Sequence, residues 1–447
     1  MTKSVPPIRS DYDEPNFDES RITPYTLEDP LTFVDGTKVA TVTDWEGRRQ
    51  EILGIFAREM YGQEPPPPEE LVVEQVDEQR EALGGFGVRC RYRMWFKADR
   101  TGPCIDWLLF RPQYATARVP VFVMLNYRGN HELVPDEDIE VPNVFCRNDI
   151  FVPHGNNRPS ASSRGYMCNP NSKTVMPLGM LLARGYALLT ACYCQVSPDP
   201  DPDWMEPNPL HRQNPFAYTG VFDLWGKRDA KRQDNPTSLG AWAWALSRGM
   251  DLVERIPELD ASQAIVLGHA RLGKAAFLAA ARDTRFGTAI LNQCGGGGVR
   301  LAKRDFGENI ATEVRTFTHW YCKAYAKYDR NPVRLLTFDQ HLLLASLAPR
   351  RVLVQGFNSY EWMETKSEYL ACRAASPAWE FLGLPGLPGT SFPEVFSTAA
   401  IGPCLGYVQR AGYQGISAYD WTWALDFVDK RIPEITKMAY NHEKSFF

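Results

Sequence analysis

Residues 266–276 read Val-Leu-Gly-His-Ala-Arg-Leu-Gly-Lys-Ala-Ala, and the reading of this stretch decides the fold. An apolar strand end (Val266, Leu267) runs into a tight turn (Gly268, His269, Ala270), and a helical run starts at Arg271. This is the layout of a nucleophile elbow, which holds one residue on a strained turn above the edge of a sheet. Small residues are needed on both sides of the held position, because the backbone approaches itself closely there. Gly268 supplies one of them two residues ahead of Ala270, whereas Leu272 stands two residues after it and Gly273 comes one later. The pattern G-x-S-x-G is therefore broken twice, in the register of the second glycine and in the absence of a serine.

Working outward, the second half of the chain alternates helix and strand. A helix over about 238–255 leads to the strand Ala264-Ile-Val-Leu-Gly268, and a helix over 271–281 leads to Gly287-Thr-Ala-Ile-Leu-Asn292. A strand at Arg351–Gly356 and an amphipathic helix at Tyr419–Arg431 follow. Such alternation implies βαβ units and a largely parallel sheet. Upstream, Asp44–Tyr61 has helical apolar spacing (Ile52, Ile55, Phe56, Met60) and stops at Pro65–Pro68. Alternating runs between about 71 and 110 read as antiparallel strands, and Val119–Asn126 as a strand of the kind a central sheet buries. A helix is expected at Leu178–Arg184 and a strand from Tyr186, with Cys192-Tyr-Cys194 alternating like strand residues. The expected fold class is α/β: an α/β-hydrolase fold, a three-layer α-β-α sandwich with a mostly parallel central sheet. Residues 1–35 read as an N-terminal arm, and 36–447 as a single domain with long insertions at about 135–175 and 195–235.

The bulk properties narrow the function. With 447 residues and 44 % hydrophobic content the chain can bury a large core. A formal charge of −5, with basic residues never gathered in a run, argues against nucleic-acid or anionic-membrane partners. No stretch reaches the roughly 18 apolar residues of a membrane span. The start, Met1-Thr-Lys-Ser-Val-Pro-Pro, carries no apolar signal core, so the sequence as written reads as a soluble chain, cytoplasmic unless a leader precedes it. The ten cysteines form no CxxC pair, and no metal or cofactor is expected.

The elbow strongly resembles that of the glucuronoyl esterases, a carbohydrate esterase family of α/β-hydrolase fold. So do Asn126-Tyr-Arg-Gly-Asn-His131, Ala241-Trp-Ala-Trp-Ala-Leu-Ser-Arg248, Arg304-Asp-Phe-Gly-Glu308, His319-Trp-Tyr-Cys322, Asp339-Gln-His-Leu342 and Ala418-Tyr-Asp-Trp421. The resemblance spans about residues 20–430. It implies cleavage of 4-O-methylglucuronate esters on xylan without a metal or cofactor. It further implies that Arg271 takes the oxyanion position and that Lys274, Glu308 and Trp362 hold the uronate's hydroxyls and ring. Charge-assisted hydrogen bonds from Lys and Glu, and an indole face against a sugar, suit that task.

The resemblance also marks three departures. A serine esterase needs a hydroxyl nucleophile, an imidazole base and a carboxylate that holds the imidazole. The matching positions carry Ala270, Gln293 (in Leu291-Asn-Gln-Cys-Gly-Gly-Gly-Gly298) and Gln414 (in Gly412-Tyr-Gln-Gly-Ile-Ser-Ala-Tyr-Asp-Trp421). An alternative acid position falls nearest Ser359 or Tyr360. A neutral amide neither takes a proton near pH 7 nor steadies an imidazolium. Each group that could stand in has a plainer role as well: Cys294 as a packed thiol, His269 as a structural histidine, His442 as a surface residue. The expected function is a glucuronoyl esterase-like protein with a substituted triad that binds a uronic acid or a glucuronoxylan-type oligosaccharide without ordinary ester hydrolysis. The alternatives are an enzyme of different chemistry on a uronate, with Tyr360 or Glu361 as base; an interaction protein with a vestigial pocket; and an inactivated variant of an active esterase.

Overall fold

The computed structural model describes residues 14–146, 157–200, 217–359 and 361–429. In chain order the helices are α1 (Val42–Phe56), α2 (Ala82–Gly85), α3 (Leu178–Ala183), α4 (Tyr193–Val196), α5 (Ser238–Val253) and α6 (Ala270–Arg282). Then come α7 (Ile310–Thr316), α8 (Pro332–Leu335), α9 (Gln340–Ala345), α10 (Thr365–Phe381) and α11 (Ala418–Asp429). The strands are β1 (Val72–Glu81), β2 (Gly87–Trp95), β3 (Cys104–Pro112), β4 (Val119–Asn126) and β5 (Ala187–Cys192). They continue with β6 (Leu259–His269), β7 (Thr288–Asn292), β8 (Arg351–Phe357) and β9 (Leu405–Arg410). All nine form one sheet in the order β1-β2-β3-β5-β4-β6-β7-β8-β9. The β1-β2-β3-β5 portion is antiparallel, and every pair from β5 to β9 is parallel.

The sheet is covered on both faces because its central strands are apolar at nearly every position. In β4, Val121 and Val123 join one core cluster while Phe122 and Met124 join the other, as a two-residue period requires. The first cluster packs α1, α5, α6, α9 and α10 against one face. The second packs α3 and α11 against the other through Leu178, Leu181, Leu182, Trp421, Leu425 and Val428. The α-β-α sandwich expected from the sequence is thus present.

Several local expectations need correction. Tyr193 and Cys194 do not continue a strand. The β4 ladder ends at the Asn126–Cys192 pair, and the chain then turns into α4, where the Ser197 N–H bonds to the Tyr193 carbonyl. The helix begun by α1 ends differently from its start, running on as a π-turn over Ala57–Tyr61. The strand β9 and the 17-residue α10 were not anticipated. Both shape the site, since β9 leads into the loop that carries Gln414. From the first insertion, Thr174 bridges to Ile416, with Val175 N–H on the Ile416 carbonyl at 2.8 Å. Parts of both insertions, 147–156 and 201–216, lie outside the described residues, as do Lys430 and Arg431 at the end of the expected last helix.

Candidate active site

The elbow forms despite its altered pattern. Ala270 has φ +50°, a left-handed conformation that L-residues adopt at a cost of about 1–2 kcal/mol. Gly268 is dictated by sterics, since a Cβ there would run into the Leu272 carbonyl. Gly273, displaced by one from the usual spacing, answers a different constraint: its Cβ would sit 2.7 Å from the Cys294 sulfur at the end of β7. The turn therefore keeps the strained geometry that holds a nucleophile, with a methyl group on the held residue.

Gln293 stands beside Ala270. His269 pairs with Asn292 in the β6–β7 ladder, so each of the two residues lies one step past a paired position on adjacent strands. Gln293 is fully buried, with φ +50°. Its side-chain amide makes a two-way pair with a backbone: Nε2 donates to the Gly415 carbonyl at 2.8 Å, and Gly415 N–H donates to Oε1 at 3.0 Å. A carboxylate in this place would have no proton to give the Gly415 carbonyl. Gln414, the neighbour of Gly415, is exposed. Its loop is further fixed by Arg410, which donates to the Gly415 carbonyl at 2.8 Å and forms a buried ion pair with Asp420 at 2.8 Å. Ala270, Gln293 and Gln414 are thus brought to one edge of the sheet, and none carries an ionisable group.

The surroundings are rich in charge. Arg271 is not the solvated first-turn cation that its position also allowed. Its Nη1 donates to Asp199 at 2.6 Å, and its guanidinium lies 5.1 Å from the Trp320 ring centroid and 5.8 Å from that of Tyr127. Burial alone would lower its pKa, but Tyr193, Asp199 and Tyr127 hold it raised. Asp199 also accepts from Tyr193 Oη at 2.9 Å, His319 Nε2 at 2.8 Å and Trp320 Nε1 at 3.2 Å. This aspartate was not singled out in the sequence, where it is one acid of Pro198-Asp-Pro-Asp-Pro-Asp-Trp204. Its partners Arg271 and His319 lie 72 and 120 residues away, and no local pattern announces them.

Lys274 is buried rather than a helix-surface charge. Its Nζ donates to the Cys294 carbonyl at 2.9 Å and lies 5.7 Å from the Trp320 ring. The glycine-rich turn 295–298 that follows is packed by acids. A Cβ at Gly296 would collide with the Glu313 carboxylate and come within 3.1 Å of Glu308 Oε2. Glu308 is buried, and its N–H bonds to the Trp362 carbonyl at 3.0 Å. Burial, with Glu308 nearby, pushes Glu313 up to about 8 against the pull of Arg300 and Lys274. Glu368, fully buried, accepts from Gly295 N–H at 3.0 Å, and burial pushes it up to about 8. Trp362 is half-buried, 6.3 Å from the Phe17 ring. Glu313 and Glu368 were absent from the sequence reading because nothing local separates them from surface acids.

The groups that could stand in for the triad take plainer roles. Burial pushes the Cys294 thiol well up, with Glu368 adding to the effect. His269 donates or accepts at Asn292 Oδ1 (2.7 Å), and burial lowers it to about 4, so it is neutral. Glu361 is exposed. Tyr360 and His442 lie outside the described residues. Among the described residues no three His, Cys, Asp or Glu side chains are grouped as metal ligands, and no helix is long and apolar enough to cross a membrane.

Comparison with known proteins places this architecture. Residues 218–383 match the family model described as glucuronyl esterase, fungi. Carbohydrate esterase MZ0003, from an unknown prokaryotic organism, is 33% identical over 417 residues, covering 93% of this chain and 91% of the relative. A solved CE15 esterase from a marine bacterial metagenome superposes with TM-score 0.82 at 32% identity, covering 93% of this chain and 99% of that one. The glucuronoyl esterase of Solibacter usitatus gives TM-score 0.81 at 31% identity, with 92% and 99% covered. The chain belongs to the glucuronoyl esterase family, CE15, with the α/β-hydrolase fold.

Proposed function

We propose that this protein recognises a glucuronoyl group, as a uronic acid or on a glucuronoxylan-type oligosaccharide, at the edge of β6 and β7, and that it lacks ordinary serine-esterase turnover. One observation carries the reading: the Gln293 amide is bonded in both directions to the Gly415 backbone, next to Gln414 and beside Ala270. An isolated loss of the nucleophile would leave an acid and a base behind. Here the acid position is filled by a group that the local backbone needs as both donor and acceptor, so the substitution is integrated into the loop. In this reading Arg271 faces the oxyanion position, and Lys274, Glu308 and Trp362 line the sugar site. The burial of Lys274 and Glu308 supports this, because burying charge is costly unless it is compensated or used. A fungal structural relative bound to methyl 4-O-methyl-β-D-glucopyranuronate suggests the ligand chemistry.

A second reading is an enzyme acting on glucuronoyl esters or other uronates in the same cleft. The relatives favour it, since those matched over most of the chain are named as esterases. The two readings separate by calorimetric titration with methyl glucuronate, followed by chromatography of the mixture. The first expects saturable binding, the ligand recovered intact, and loss of binding in Lys274→Met. Recovery of a converted product supports the second, and absence of binding contradicts both.

A further inference from the structure

Three aromatic rings form an exposed cluster that neither core cluster absorbs. Phe396 and Tyr419 are 47% and 62% exposed, and their ring centroids are 5.3 Å apart. Trp423 lies 6.0 Å from Phe396 and 6.5 Å from Tyr419, with its inner side packed on the core. Tyr419 and Trp423, four residues apart, occupy one face of α11, and Phe396 joins them from a separate segment. Phe396 has φ +63°, a conformation that a bulky side chain takes only at a cost. Strain of this kind tends to persist where a ring or backbone has to be held for function.

The cluster sits on the rim of the candidate site. Arg351, which opens β8, bonds to the carbonyls of Phe427 and Val428, so the C-terminus of α11 lies at the start of the parallel strands. Its first turn, with Tyr419, is therefore at the opposite edge, where Ala270 and Gln293 stand. The N–H of Phe396 bonds to the Gln409 carbonyl at 2.8 Å, near the end of the edge strand β9. Between the rings and the strand ends runs the loop 411–417, whose Tyr413 is 85% exposed beside Gln414.

We propose that Phe396, Tyr419 and Trp423 form a docking platform for the neutral backbone of a β-linked polysaccharide whose uronate side group occupies the cleft. The proposal rests on the cleft's reading as a uronate site. An apolar ring cluster of this size with a phenol hydroxyl at its edge suits the alternating C–H faces and hydroxyls of a sugar chain, where a dry protein contact calls for a larger apolar area. Continuity with the cleft edge selects a ligand long enough to span both. Two linked contacts raise affinity through effective concentration, by about a hundredfold or more where the geometry allows both to engage.

The test compares soluble glucuronoxylan, unsubstituted xylan and methyl glucuronate on the full chain. The variants are Phe396→Asn with Tyr419→Ala, and separately Lys274→Met. Asparagine tolerates the left-handed backbone and alanine the helix, so the first pair removes rings and leaves the fold in place. The parent should bind glucuronoxylan at least tenfold more tightly per uronate than methyl glucuronate. The ring variant should lose that advantage and keep its methyl glucuronate affinity. Lys274→Met should lose methyl glucuronate and keep residual xylan retention. A ring variant that binds the polymer as the parent does overturns the proposal, as does one whose only change is in association state by sedimentation. If methyl glucuronate is never bound while polymer binding still depends on the rings, the cleft reading fails and the platform stands.

Discussion

Two regions at one edge of the sheet have been treated differently. At the tip of the elbow and across from it, Ala270, Gln293 and Gln414 present a methyl group and two neutral amides. One layer outward, Arg271, Asp199, Lys274, Glu308, Glu313 and Glu368 keep charged or titratable groups in mostly buried places. Buried charges cost stability unless they are paired, hydrogen-bonded or neutralised by a proton. The frame of an esterase site therefore persists at an energetic cost, while the groups that would move protons in it are missing. Geometry and binding electrostatics are separable from the relay they once surrounded.

The largest test of that separation is steric. Gly268→Val should unfold the chain or cost more than about 3 kcal/mol in chemical denaturation, because its Cβ meets the Leu272 carbonyl. A Gly268→Val variant as stable as the parent would show that the elbow is no longer held. Next in size, Lys274→Met should abolish uronate binding and lower stability by about 1–3 kcal/mol, since the Cys294 carbonyl loses its donor and the acids their cation. If stability falls and binding stays, Lys274 belongs only to the frame.

Gln293→Glu sharpens the comparison at its centre. The new carboxylate would face the Gly415 carbonyl without a proton, costing about 1–3 kcal/mol at pH 7 and less once it is protonated at low pH. An unchanged denaturation midpoint at pH 7 would mean that the amide pair is incidental. The smallest effect is in pH dependence. The unfolded value of Glu368 is 4.5 and its folded value about 8, so between these the folded state holds the extra proton and stability falls as pH rises. His269 runs the other way, with stability lost as pH falls from 6.5 to about 4. Between pH 6.5 and 8 the acids' slope should dominate these two effects, and Glu368→Gln should flatten part of it. An unaltered profile would place Glu368 in a wetter site.

Much of this was legible in the sequence because the constraint was local. Gly268 is fixed by its own turn, and the apolar strands β4 and β6 announce burial on both faces. What could not be read depends on distant partners. Nothing near Gln293 reveals Gly415, 122 residues on, and nothing near Arg271 reveals Asp199. The helix α10 was obscured by Pro377 inside it, and β9 by its short length and Gly406. The sites of Lys274 and Glu308 came from resemblance, and the structure adds that both are buried. Tyr419 and Trp423 were visible as part of an amphipathic helix, but their exposed face gained meaning only with Phe396 beside it.

The most direct test is hydrolysis of benzyl glucuronate by the parent chain and by a variant combining Ala270→Ser, Gln293→Glu and Gln414→His. A disabled triad enzyme can retain roughly 10³–10⁴-fold acceleration over water from its oxyanion site and binding alone, so the assay has to resolve that floor. The account predicts a parent at or below the floor and a triple variant above it. A parent that turns the ester over well above the floor would contradict the central claim and place a working nucleophile or base elsewhere in the cleft.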